Sequence, residues 1–205
     1  MAHIAVLGLG NWGSAIARLW LLEGHKVKGW TIEQEVYESI TMEGMNHKYL
    51  PDHSLDGLEA TMHVEEALEG SEIIVLAVPS SVILNVVEDI IPHLRPGHVL
   101  LDLAKGLAPG KRLISEAIHQ MLDENNMHNP LAVLTGPTIA PEAAGGVMTT
   151  ALVASEDVSV AENLASTLTT PTFILHPASD PVGAELWGAF KNVVALACGL
   201  VDGLK

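Results

Sequence analysis

The sequence predicts an α/β protein built on a doubly wound, mostly parallel sheet, and three observations carry that expectation. The apolar run Ile4-Ala5-Val6-Leu7 stops at Gly8-Leu9-Gly10-Asn11-Trp12-Gly13, and a segment with apolar residues at helical spacing (Ala15, Ile16, Leu19, Leu22) follows at once. Further apolar runs then alternate with helix-like segments over short connections, the order that yields a parallel sheet. Composition agrees. A hydrophobic content of 48% with only 4% aromatic residues, at a mean hydropathy of +0.32, suits aliphatic strands buried between helices.

The opening Gly-x-Gly-x-x-Gly loop between a strand and a helix is the turn of a Rossmann-like dinucleotide-binding unit. In that reading Gly8 permits the tight turn and Gly10 lets backbone N–H groups approach a pyrophosphate. Gly13 lets the helix pack close on the strand, and the helix N-terminus offers its dipole to the phosphates. A second strand, Lys26 to Trp30, completes the βαβ unit after Gly24-His25.

The later elements follow in order. A helical stretch over 33–45 leads to a polar turn, 46–52, closed by Pro51, which could lie over a cofactor. Short strands are expected at 61–64 and 73–78, with a helix at 65–69 between them. Ser80 or Ser81 is expected to cap a helix over 82–91 that ends at Pro92. A strand over 98–103 runs into Lys105-Gly106, and a helix over 112–124 precedes a strand over 131–134 that ends in Thr135-Gly136-Pro137-Thr138. A strand over 150–154, a helix over 157–168 and a strand over 172–176 follow, and Ser179 is expected to cap a long apolar helix running towards Gly199. The turns at Gly8, Pro79, Lys105 and Gly136 all follow strands, so they should converge on one edge of the sheet.

Charge bounds the partners. With 25 acidic against 10 basic residues the formal charge is −15, which disfavours nucleic acid and anionic membranes. Any phosphorylated ligand must then be held by a local basic site working against the global field. The single cysteine, Cys198, excludes an internal disulfide and lies in an apolar helical pattern, which reads as a small core residue in a reducing, cytoplasmic setting. No run of about 20 uninterrupted apolar residues suggests membrane insertion. The ten histidines are scattered without a ligand-like pair on one helix face, so no metal site is expected.

Lys191 stands out in Gly188-Ala189-Phe190-Lys191-Asn192-Val193, a lysine on an otherwise apolar helix. Such a lysine either snorkels to water or occupies a site where its ammonium can donate a proton to a carbonyl oxygen. At this point the chain resembles the bacterial-type NAD(P)-dependent glycerol-3-phosphate dehydrogenases. The resemblance rests on the glycine loop with Trp12, Gly24-His25-x-Val27 with Trp30, Asn46-x-x-Tyr49-Leu50-Pro51, Ala77-Val78-Pro79-Ser80, Lys105-Gly106, Gly136-Pro137-Thr138-x-Ala140-x-Glu142 and the Lys191 segment.

The resemblance implies hydride transfer between NAD(P)H and C2 of dihydroxyacetone phosphate, giving sn-glycerol 3-phosphate for phospholipid synthesis. By the same likeness Lys191 would be the catalytic acid and base. Lys105, Gly136, Thr138 and Lys191 match substrate positions, while Gly8, Gly10, Asn11, Trp12, Gly13, Tyr49, Lys105 and Ala140 match cofactor positions. The expected partner is a small phosphorylated substrate, and a homodimer is left open. Glu33, twenty positions after Gly13, stands where an acid accepts ribose hydroxyls, which favours NAD over NADP.

Members of that family continue into an all-helical domain, so residues 1–178 are expected to form the dinucleotide-binding domain and 179–205 the first helix of a truncated second domain. A non-catalytic nucleotide-binding fragment and a related β-hydroxyacid dehydrogenase stand as the alternatives.

Overall fold

The alternation of β1 (His3–Leu7) explains how one short strand organises two layers, since Ile4 and Val6 enter one apolar cluster while Ala5 and Leu7 enter another. The computed structural model describes residues 1–204. After β1 come α1 (Asn11–Leu22), β2 (Lys26–Trp30), α2 (Gln34–Glu43), β3 (Met45–Asn46), β4 (Leu50–Ser54) and β5 (Glu59–Thr61). Next are α3 (Val64–Leu68), β6 (Ile73–Leu76), α4 (Ile83–Ile90), β7 (Val99–Asp102), α5 (Ile114–Glu124) and β8 (Leu131–Thr135). The chain continues through α6 (Ala140–Ala144), β9 (Thr149–Ala154), α7 (Val158–Leu168), β10 (Phe173–Ala178) and α8 (Pro181–Gly203).

Eight strands form one sheet in the order β10-β9-β8-β7-β6-β1-β2-β5. Every pairing in it is parallel except β8 with β9. The first apolar cluster takes Trp20 from α1 and Leu164 from α7; the second takes Ile83 from α4 and Ile118 from α5. Both faces of the sheet are therefore covered, as the aliphatic composition anticipated.

Strand order reverses between β6 and β1, because the chain leaves β1 towards β2 and later returns to β1's other side. The carboxyl ends of β1, β6, β7 and β8 lie on neighbouring parallel strands, so the turns that follow them share one edge.

Several local expectations give way. The helix expected over 33–45 stops at Glu43, because Gly44 takes a left-handed conformation (φ 64°) that turns the chain into β3. The polar turn at 46–52 is a hairpin of β3 and β4, with Pro51 in the edge strand β4. The strand expected at 61–64 is β5, which ends at Thr61, and Val64 already opens α3. Neither Ser80 nor Ser81 caps α4, which starts after Val82 without a side-chain cap. Asp180, not Ser179, caps α8 by accepting from the Gly183 N–H at 2.8 Å.

Cys198 is exposed rather than core, since α8 has left the sheet by that point. By length and composition alone α8 could cross a bilayer, but its first half is tied to the fold: Glu185, only 2% exposed, accepts from the backbone N–H of Ile114 at 2.5 Å and from Ser115 Oγ at 2.5 Å. A helix start without its own side-chain cap is thus satisfied from a distant helix.

Candidate active site

A cavity of about 810 Å³ opens beyond the carboxyl ends of β1, β2, β6 and β7. Gly8, Gly10, Asn11 and Trp12 line it at the first turn, Glu33 and Tyr49 at one end, and Pro79, Ser80 and Lys105 at the other. The volume falls within the range of small-molecule and cofactor sites.

The three glycines of the loop have different physical reasons. Gly8 has φ +107°, a conformation that side chains rarely adopt, and a Cβ there would lie 2.8 Å from the Ala77 carbonyl oxygen. A Cβ on Gly13 would sit 1.8 Å from the Gly8 oxygen, so only glycine lets α1 come so close to the turn. A Cβ on Gly10 would meet no protein atom within 4 Å. Nothing in the protein demands glycine there, yet the position lines the cavity, so the bare backbone leaves room for a ligand at the start of α1. That start carries no side-chain cap and no acidic residue in its first turn, which suits phosphate on its N–H groups.

Asn46 fixes the hairpin against this loop. Its side chain is fully buried, donates to the Leu9 carbonyl and to Ser14 Oγ at 2.9 Å each, and accepts from the Tyr49 N–H at 3.1 Å. Tyr49 therefore reaches the cavity on a rigid turn. Its hydroxyl donates to Glu33 at 2.9 Å, which raises the tyrosine pKa, while Lys48 and then Tyr49 hold the Glu33 carboxyl below the usual carboxylate range. Trp12 lines the cavity and meets the Phe173 ring edge-on at 5.9 Å, so it serves both core and site. Trp30 also lines the cavity, with its ring N–H donated to the Met62 carbonyl.

A second, smaller cavity of about 290 Å³ adjoins α8, lined by Thr135, Gly136, Pro137, His176, Gly188 and Lys191 among others. Lys191 Nζ donates to the Gly136 carbonyl at 3.5 Å. The two cavities are joined electrically by their lysines. Lys105 is held below the usual lysine range, first by partial burial and then by the nearby Lys191 ammonium. One ammonium in each cleft, close enough for one to depress the pKa of the other, gives a local concentration of positive charge in a protein whose formal net charge is −15.

Not every expected residue joins this arrangement. Thr138 is buried, gives its N–H to the Gly136 carbonyl at 2.9 Å and lines neither cavity. Ala140 packs against the core at the start of α6 and also lines neither. Gly13 acts through packing, not by facing the cavity. The apolar neighbours of Lys191 do not bury it, because Phe190, Val193 and Val194 are exposed on α8.

Sequence reasoning missed Asp102 and Glu185. Asp102 is wholly buried at the end of β7, two residues before Ala104, whose N–H it accepts at 2.8 Å. Its other oxygen has no hydrogen-bond partner, and burial pushes its carboxyl up to about 8, with the Glu185 charge adding to the rise. An acid closing an otherwise apolar strand was the available signal. Among the described residues no cluster of three or more His, Cys, Asp or Glu could hold a metal ion.

The chain matches the family described as NAD-dependent glycerol-3-phosphate dehydrogenase, its N-terminal part over residues 3–161 and its C-terminal part over residues 180–205. It is 42% identical over 205 residues to a glycerol-3-phosphate dehydrogenase [NAD(P)+] of Rhodospirillum rubrum, covering 98% of this chain and 57% of that protein. It is 37% identical over 204 residues to that of Syntrophotalea carbinolica, covering 98% of this chain and 61% of the relative. The crystal structure of glycerol-3-phosphate dehydrogenase from Coxiella burnetii superposes with a TM-score of 0.87 at 32% identity, over 99% of this chain and 62% of that one. The chain thus spans about three fifths of the relatives it matches. With its sheet, its glycine turn and its lysine helix all matched in one chain, the protein belongs to the NAD-dependent glycerol-3-phosphate dehydrogenase family.

Proposed function

We propose that the larger cavity binds NAD(H) or NADP(H), and that the protein takes part in reversible reduction of dihydroxyacetone phosphate to sn-glycerol 3-phosphate. The observation that carries this reading is the glycine turn of Gly8 to Trp12 lining the larger cavity together with Lys105, while Lys191 lines the smaller cavity and lies near enough to Lys105 to lower its pKa. In this reading residues 1–178 form the nucleotide domain, and the helix from 179 onward belongs to the substrate side. A role in supplying phospholipid precursors, in the cytoplasm, goes with that activity. In this reading the chemistry needs no metal, nucleic acid or membrane, and a homodimer is compatible with it.

A bound reduced nicotinamide supplies the hydride. The protein's part is to bind, to orient and to manage charge and protons. As hydride arrives at C2, negative charge builds on the carbonyl oxygen, and Lys191 gives that oxygen a proton from Nζ. In the reverse direction Lys191 takes the proton back. Lys105 holds the substrate by its positive charge and raises the local potential that the acidic surface would otherwise lower. The N–H groups at the start of α1 take the pyrophosphate, and Trp12 and Tyr49 wall the cofactor in.

Titration of the chain with NADH, followed by nucleotide fluorescence, tests the reading: saturable binding is expected, lost on Gly10→Asp, and no binding to the wild-type chain would end it. A second reading, nucleotide binding without turnover, draws on one observation. Trp187 is 71% exposed and Val193 60% exposed on the helix that carries Lys191, in a chain that spans about three fifths of its relatives. Dihydroxyacetone-phosphate-dependent oxidation of NADH separates the two.

A further inference from the structure

The Glu33 and Tyr49 end of the larger cavity holds a charge arrangement that no local sequence pattern reveals. Both carboxylate oxygens of Glu33 are engaged by the hairpin of β3 and β4: Tyr49 donates to one at 2.9 Å and Lys48 Nζ to the other at 2.5 Å. The same ammonium lies 3.5 Å from Glu35 and 5.5 Å from the centre of the Tyr49 ring. Asn46, buried between the hairpin and the glycine loop, pins the turn that delivers Lys48. Other nearby basic groups are committed elsewhere, Lys28 to the carbonyls of Glu66 and Glu69 and His47 to Glu43 at 2.8 Å.

The formal charge of this rim is small and depends on one residue. Glu33 and Glu35 against Lys48 leave one net negative charge, and loss of the lysine leaves two. Glu33 lines the cavity, whereas Lys48 stands behind it.

We propose that Lys48, acting through Glu33, sets how this site distinguishes NADP from NAD. The inference rests on the nucleotide-site reading above. A free carboxylate at this position accepts ribose hydroxyls and repels a 2′-phosphate. An ammonium in contact with that carboxylate offsets its field, so the site admits both nucleotides and favours NAD by a narrow margin. Lys48 is a positioning residue in this scheme, since it needs no contact with the nucleotide.

The test is the ratio of the NADPH to the NADH dissociation constant, measured at low salt on the whole chain. Lys48→Ala raises the ratio about fivefold, through weaker NADPH binding, in keeping with the size of partly exposed ion pairs. Lys48→Arg keeps the wild-type ratio, Glu33→Gln lowers it below wild type, and high salt compresses the differences. A merely structural lysine would weaken both nucleotides equally, and an unmoved ratio in Lys48→Ala overturns the proposal while leaving the nucleotide site standing. Failure of the wild-type chain to bind either nucleotide overturns the site reading and this inference with it.

Discussion

The Lys191 ammonium reaches the carbonyl oxygen of Gly136 across 3.5 Å, linking α8 to the turn that ends β8. This approach depends on Gly188 one turn earlier, where a Cβ would fall 2.5 Å from Thr135 Oγ1. The glycine brings the helix down onto the strand, and the lysine then meets the turn beyond it. Lys191 is thereby held beside a backbone acceptor and close enough to Lys105 to depress that lysine's pKa.

Replacement of Lys191 should separate chemistry from binding. In a chimera that continues this chain with the C-terminal portion of the Coxiella relative, Lys191→Ala should reduce turnover of dihydroxyacetone phosphate by about 100-fold or more, the usual scale of a lost general acid. NADH affinity should change less than about twofold, because the mutated side chain lies in the smaller cavity. Steady-state kinetics beside fluorescence titration measures both, and retained turnover would remove Lys191 from its role.

The glycine loop offers a paired test. Gly13→Ala puts a methyl group into the Gly8 carbonyl and should lower stability by about 1–3 kcal/mol, seen as a lower denaturation midpoint. Gly10→Ala meets no protein atom within 4 Å and should leave stability within about 1 kcal/mol of wild type. It should nevertheless weaken NADH binding, since the added methyl projects where the pyrophosphate is expected. Equal losses of stability in both variants would contradict the division of roles.

Asn46→Ala should loosen the hairpin. It leaves the part-buried Tyr49 N–H without its side-chain acceptor and reduces the Leu9 carbonyl and the Ser14 hydroxyl to their bond with each other, at a cost of about 1–3 kcal/mol. Faster hydrogen exchange over 45–54, with the sheet core still protected, would mark the effect as local. Unchanged exchange in the hairpin would count against it.

Asp102 makes stability depend on pH. Its carboxyl titrates at about 8 when folded and near the ordinary aspartate value of 3.8 when unfolded, so between these values the native state alone keeps the proton. The unfolded state then binds fewer protons, and this residue's contribution to stability falls by about 1.4 kcal/mol for each pH unit gained across that window, levelling off above about 8. Asp102→Asn, which keeps the acceptor for the Ala104 N–H, should flatten the slope. Denaturation midpoints from pH 5 to 8 in both proteins provide the check, and parallel curves would refute the assignment.

The sequence made the outline legible because the strand-turn-helix signals are local. Lys26 to Trp30 emerged as a strand with the limits read from its residues, and the glycine spacing marked the turn that lines the larger cavity. Helix caps were misplaced where two candidates stood together: Ser179 and Asp180 are both competent, and only backbone direction decides between them. The hairpin of β3 and β4 was hidden because its strands are short and its pairing is irregular between Met45 and Asn46. Asn46 could be seen as part of a motif, but its purpose is a contact with the Leu9 carbonyl, which no local pattern reveals. The same holds for Glu185, whose partners Ile114 and Ser115 lie on another helix. Long-range polar contacts of this kind leave only an oddity in the sequence, a charge among apolar neighbours.

The one reversed pairing in the sheet decides where the lysine ends up. Since β9 runs against β8 and β10 follows β9, the chain leaves the sheet at the amino ends of the parallel strands. From there α8 must travel back along β8, and the ten steps from Pro181 to Lys191 advance about 15 Å, slightly more than the roughly 13 Å of the four steps from Leu131 to Thr135 in β8. The ammonium therefore arrives just past the end of β8. Had β9 and β10 kept the common direction, the same helix would have started at the cavity and carried its lysine away from it.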